Sequence, residues 1–459
     1  MRTKFIEQLT LLASVVKWTC YASIVGVLVG FGTGAFLRTL AWTSGQFARY
    51  PNYYLLLPAT LAVCSILVSR LAPDAAGHGT EKVIEAVHKR MGRIPLMVVP
   101  VKLVATVITL AGGGSAGKEG PCAQIGAGLA SAFGGLLRLN DVDRRKLVIC
   151  GISAGFATVF GTPIAGALFG VEVLVLGQMM YDVLFPSFVA GIIGFHVASR
   201  LGVSYPRLAA RIIPPVTGWS FAEMVMLGIW CGLIALLFIE LMKGTRRLFE
   251  RLPWPSAAKA FLGGALLAFI GTVISTRYLG LGLDSIEAGL GGAALPAGAP
   301  LMKAIATAIT LGSGGSGGVV TPIFFIGTAA GNLFAALFHE PLIATFSAIG
   351  MVALLAGAAN TPVAASVMAM ELFGASIAPH AAVACMVSFL IVGYRSIYPS
   401  QLLGMQKSGS LLAPEGGQVG DIHHAALTPR EKSLAGCFMA ISRRIKRKDG
   451  SAIHGQDEP

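Results

Sequence analysis

The feature that most restricts the fold of this 459-residue chain is an internal repeat. Residues 102–128, KLVATVITLAGGGSAGKEGPCAQIGAG, align without a gap on 303–329, KAIATAITLGSGGSGGVVTPIFFIGTA, and 13 of the 27 positions are identical. The matches include Lys102/Lys303, Thr106/Thr307, Thr109/Thr310, Ser115/Ser316, Pro121/Pro322 and Gly126/Gly327. A second block pairs Thr162-Pro163 with Thr361-Pro362, Ala165 with Ala364 and Glu172 with Glu371. Biased composition produces chance glycine matches, but not lysine, threonine, proline and glutamate in register. The chain is therefore read as a duplicated unit, with halves over 18–205 and 218–405 and a linker over 206–217.

Composition says what kind of unit is duplicated. Hydrophobic residues make up 54% and charged residues 12%, with a mean hydropathy of +0.73; soluble domains carry about 25% charged residues. A soluble enzyme, a disordered chain and a fibrous protein are excluded. The 58 glycines follow no collagen period and suit helices that approach closely in a bilayer. The expected fold is an all-α, multi-pass membrane protein. Apolar runs begin near residues 18, 54, 95, 147, 164, 183, 222, 257, 300, 321, 345, 362 and 380. Several are shorter than the ~20 residues of a full span, and glycine-rich breaks at Gly112–Gly114 and Gly312–Gly318 interrupt them. Broken backbone at membrane depth must be buried in protein or line a wet cavity. Each copy places its break just before a new helix, and such paired breaks point to a substrate site near the midplane. Helix starts offer unpaired N–H groups and a positive dipole end, so the substrate they suit is an anion.

Charge and cysteines narrow the alternatives. The net charge of +13 is concentrated at Arg2/Lys4, 88–93, 144–146, 243–251 and 443–448. On a membrane chain these clusters mark cytoplasmic loops and ends instead of a nucleic-acid site. Both termini are thus expected in the cytoplasm of an inner (plasma) membrane protein, 1–17 as a cytosolic N-terminus and 406–459 as a short cytosolic tail. Lys17 interrupts the first apolar run, which argues against a signal peptide. The seven cysteines are scattered without a C-x-x-C pair, so neither a disulfide framework nor a metal site is expected. Gly112-x4-Gly117-Lys118 begins like a nucleotide loop, but Glu119 occupies the Ser/Thr position and would repel phosphate. Gly312-x-Gly314-x-x-Gly317 lacks a βαβ context. His339-Glu340 starts like a zinc-protease motif, without a second histidine and with helix-breaking Pro341. No cofactor is expected, and an intramembrane enzyme is a distant alternative. Lys118 and Glu119 in the repeat cost about 2.5–3.5 kcal/mol each at membrane depth, which favours a functional role over simple pairing at a helix end.

Here the residues carry a resemblance. Gly117-Lys118-Glu119-Gly120-Pro121, the GGVVTP stretch at 317–322, the AGHGTEKVIEA stretch at 76–86 and Arg395-Ser396-Ile397-Tyr398-Pro399 resemble, in order, the signature regions of the CLC chloride channel and transporter family. The likeness spans about residues 18–405. It implies a CLC-type inverted repeat of broken, tilted helices, a homodimer with a pore in each subunit, and chloride (anion) transport as channel or anion/proton exchanger. The 406–459 tail is too short for the paired nucleotide-binding domains that many members append. By the resemblance, Glu119 is the gating glutamate that competes with the anion and takes up protons. The anion-binding positions are His78, Gly79, Gly120, the amides of Val319 and Val320, and the phenol of Tyr398.

The departures are informative. His78 stands where the family usually has an anion-touching serine; it offers an N–H to the anion, or else caps a helix start. Val320 replaces a common phenylalanine. Val173 falls where proton-coupled exchangers usually carry an inner glutamate, so weak coupling is expected. Glu172, about 100° round the helix, is a low-ranking substitute in a proton path, and its repeat mate Glu371 suggests a structural role. The stretches 174–182 and 321–325 look like a fluoride-exporting branch, whereas Pro121 after GKEG argues for chloride. A fluoride/proton antiporter is the alternative.

Overall fold

The computed structural model describes residues 2–205, 218–338, 342–412, 416–422, 428–430 and 433. The linker over 206–217, His339-Glu340-Pro341 and the basic cluster over 443–448 lie outside the described residues.

Among the described residues each half contributes eight α-helices. The first has α1 (Arg2–Phe47), α2 (Leu57–Leu71), α3 (Thr80–Lys89), α4 (Val98–Ala111), α5 (Glu119–Leu136), α6 (Asp141–Phe160), α7 (Pro163–Glu172) and α8 (Tyr181–Arg200). The second has α9 (Gly218–Arg251), α10 (Ser256–Val273), α11 (Leu283–Leu290), α12 (Ala299–Ser313), α13 (Val320–Phe338), α14 (Ile343–Ala359), α15 (Pro362–Phe373) and α16 (Ala378–Val392). Among the described residues seven helical stretches are long and apolar enough to cross a membrane, and α4, α7, α14 and α15 are shorter apolar helices. α1 begins at Arg2, inside the stretch expected as a cytosolic N-terminus.

Local chemistry sets the boundaries. Asn140 caps α6 by accepting from the Asp143 amide, and Gly161 ends it in the left-handed conformation. Pro163 and Pro362 open α7 and α15, where a missing N–H costs nothing. The repeat breaks need positive φ at Gly113 (+101°) and Gly314 (+118°), which L-residues rarely adopt.

The two halves meet through contacts that exchange roles. Gly117 N donates to Gly318 O at 2.7 Å, and Gly318 N returns the bond to Gly117 O at 2.6 Å. Ser115 N donates to Thr310 Oγ1 at 3.0 Å and Ser316 N to Thr109 Oγ1 at 3.1 Å. Glu172 accepts from the Val363 and Ala364 amides, and Glu371 from Ile164 and Ala165. Residue i touching j′ while j touches i′ is the signature of a two-fold, here a pseudo-two-fold inside one chain. α5 and α13 start on either side of that axis and run apart. Each packs on its successor through bare backbone: a Cβ on Gly126 would lie 2.3 Å from Gly151 O, and one on Gly327 2.5 Å from Gly350 O.

Beyond α16 the chain turns back onto the bundle. Leu402-Leu403 pairs in parallel with Val175-Leu176. Lys407 Nζ donates to Asn360 Oδ1 and Phe389 O, both at 2.6 Å. Burial holds this ammonium well below its ordinary range.

Candidate functional site

Glu119 is the first residue of α5 and is fully buried. The bridge between Gly117 and Gly318 fixes the two helix starts side by side, so the carboxylate reaches across the axis. Its Oε2 accepts from Thr321 N at 3.0 Å and its Oε1 from the Thr321 hydroxyl. The carboxylate of one repeat thus occupies the N-terminus of a helix in the other, where free N–H groups and the dipole favour negative charge. Lys118 forms no ion pair with it among the described residues. The Val319 and Val320 amides, beside Thr321, donate to no acceptor among the described residues.

A third helix start completes the ring. Gly79 (φ +62°) precedes α3, and a Cβ there would lie 2.5 Å from Gly120 O; a Cβ on Gly120 would lie 2.3 Å from His78 O. Both glycines are therefore required by backbone meeting backbone. Lys102 anchors this loop from below, donating to Ala75 O (3.1 Å) and Gly77 O (2.6 Å), as its repeat mate Lys303 does to Tyr278 O and Gly280 O. The Tyr398 ring lies 5.6 Å from that of His78. Tyr398 is fully buried with its hydroxyl against Thr80, and among the described residues neither of these two hydroxyls nor His78 Nδ1 has a further hydrogen-bond partner. Buried polar atoms are rarely left unpaired, and several in one place mark a position for a ligand.

A cavity of about 650 Å³ descends to this ring, with Lys118, Glu119, Thr321, Phe160, Tyr205 and Glu287 in its lining. Glu119 lines it, whereas His78 and Tyr398 do not.

The structure therefore brings together Glu119, Gly120, His78, Gly79, Val319, Val320 and Tyr398. Glu172 lies at the other contact between the halves: both its oxygens accept from the first amides of α15, at 3.0 and 2.7 Å. Two groups escape a motif-based reading. Thr321 has no charge to draw attention, and its repeat mate is Gly120, not another threonine. Glu81, at the second position of α3, buries one carboxylate oxygen against Ser400; an acidic residue so early in a helix reads from sequence as a solvated cap.

Residues 59–393 fit the sequence profile of the voltage gated chloride channel family. A chloride/fluoride channel protein of Pseudomonas syringae pv. tomato is 40% identical over 446 residues, covering 94% of this chain and 97% of its own. An H⁺/Cl⁻ exchange transporter of Salmonella paratyphi A is 27% identical, over 76% of this chain and 80% of its own. Among solved structures, a CLC-type fluoride/proton antiporter superposes with a TM-score of 0.80 at 28% identity, over 84% of this chain and 98% of the other.

Proposed function

Because the chain belongs to the voltage-gated chloride channel (CLC) family, whose members move anions as channels or anion/proton exchangers, we propose that it exchanges a halide for protons across a membrane, with Glu119 as the group both ions use. The observation that carries this reading is the seat of the Glu119 carboxylate on Thr321 at the start of α13. A carboxylate held by an amide and a hydroxyl at a helix start stands in for a halide ion. The two compete for the same donors, and protonating the carboxyl removes its claim on them. His78, Gly79, Gly120, Val319, Val320 and Tyr398 form the rest of the anion path, with the Tyr398 hydroxyl and His78 nitrogen as side-chain donors.

The names of the relatives support fluoride as the first ion to test, since the 40%-identical protein is named for both halides. Pro121 after the gate and the Salmonella exchanger support chloride as the second reading. The protein is further taken to be a homodimer of the inner membrane with both termini in the cytoplasm.

The test is ion flux in proteoliposomes, with fluoride, chloride and nitrate compared and protons recorded together. Halide release should drive protons uphill, and Glu119→Gln should remove both that coupling and the pH dependence of flux. A Glu119→Gln protein with wild-type pH sensitivity would show that another group is the gate.

A further inference from the structure

The exchange reading leaves a physical gap. Protons reaching Glu119 from the side opposite the 650 Å³ cavity need a carrier, because proton paths through membranes are built from Asp, Glu and His side chains. Val173 carries no exchangeable proton, and Glu172 has both oxygens committed to α15.

Glu81 has the geometry that these two lack. It follows Gly79 and Thr80 at the start of α3, and the His78-Gly79 backbone packs directly on Gly120, next to Glu119. Only one of its oxygens is satisfied: Oε1 accepts from Ser400 N at 3.0 Å and from the Ser400 hydroxyl, while Oε2 is buried without a partner. Tyr398, two residues before Ser400, is fully buried with its hydroxyl against Thr80, the residue before Glu81, and it feels the charges of both Glu81 and Glu119. In the other direction Glu85 is four residues on, one turn along the same face of α3. Its side chain is 31% exposed and pairs with Lys82 at 3.1 Å. The face therefore leads from solvent, through Glu85, to a buried carboxyl with one free oxygen, in the neighbourhood of Tyr398.

We propose that Glu81, loaded through Glu85, is the inner proton carrier of this transporter. Glu85 takes a proton from water and passes it to the Glu81 carboxylate, and Glu85 returns to its charged form. Glu81 then gives that proton to the Tyr398 hydroxyl oxygen as the same hydroxyl yields its own proton to the Glu119 carboxylate, and Glu81 regains its negative charge. Lys82 and Glu85 are the charged groups that act on Glu81 from its own helix; Ser400 and Tyr398 face it from the segment after α16. The proposal rests on the exchange reading above.

The experiment measures protons and halide in the same vesicles for wild type, Glu81→Gln, Glu85→Gln and Ser400→Ala. Glu81→Gln should lower the proton-to-halide ratio at least tenfold, and Glu85→Gln about threefold. Wild-type protein that moves halide with no protons overturns the exchange reading and this assignment with it. Coupled wild type beside a Glu81→Gln variant of unchanged ratio overturns the assignment alone. If Glu81→Gln moves neither ion, Ser400→Ala decides: it removes one donor from Oε1 and should shift the pH of half-maximal coupling. An unshifted profile overturns the assignment.

Discussion

Thr321→Val isolates the hydroxyl that holds the gate. Valine keeps the shape of threonine and the backbone amide, so the Oε2 bond at 3.0 Å remains and only the hydroxyl donor to Oε1 is lost. A hydrogen bond to a charged group contributes roughly 1.5–3 kcal/mol. Taking about 2 kcal/mol, the charged carboxylate loses about 30-fold of its hold on the seat, since each ~1.36 kcal/mol is a factor of ten. The halide, competing for the same donors, loses the hydroxyl as well, so the concentration that half-saturates flux should change little. Protonation should displace the carboxyl more easily, so the pH of half-maximal flux should move upward by about 1.5 units. The sign is fixed because the hydroxyl stabilises the charged form, and removing it favours the protonated one. Halide efflux from proteoliposomes, followed with an ion-selective electrode between about pH 4.5 and 8, reads both quantities, and Thr321→Ser serves as the variant that keeps the donor. Superimposable profiles for wild type and Thr321→Val, or a downward shift, would refute the reasoning.

Three further outcomes are expected. Glu172→Gln should keep proton coupling but destabilise the protein by about 2–4 kcal/mol, because an uncharged amide cannot accept from both α15 amides; Glu371→Gln should cost less, its site being less buried, and unfolding in detergent ranks the two. Gly126→Ala should cost about 1–3 kcal/mol by forcing α5 off Gly151, whereas Gly135→Ala, with open space around it, should be neutral or mildly stabilising in the same assay. Lys102→Met should leave the Ala75 and Gly77 carbonyls without their donor, loosening the loop that carries His78 and weakening halide affinity in a binding titration.

Much of the architecture is legible in the residues because duplication writes the same signal twice. The paired glycine breaks, the shared lysines and the prolines at Pro163 and Pro362 locate the broken helices and their equivalence. The elements without an apolar run of their own are α3, α5 and α11. The repeat recovers α5 as the mate of the run at 321, whereas α3 and α11 are short and partly polar, although α3 brings a helix start to the site. Glu119 stands out because a charge at membrane depth is costly. Thr321 and Glu81 do not, because their roles arise from what lies opposite them, at sequence separations of 202 and 319 residues. Glu172 shows the same limit from the other side: its type suggests chemistry, and only its partners reveal a clamp.

The exchanged contacts between the halves have a last consequence. Symmetry-related positions share one scaffold, yet Glu119 is matched in the second repeat by Val320. The frame has two faces of similar build, and only one of them carries a titratable latch. An evenly furnished pore would treat its two mouths alike. With Glu119 as the proposed gate this one should be vectorial: acid on the face that reaches Glu119 and acid on the opposite face would be different stimuli, and a current–voltage curve taken at equal ion concentrations but unequal pH should rectify in one direction and reverse its bias when the pH step is reversed.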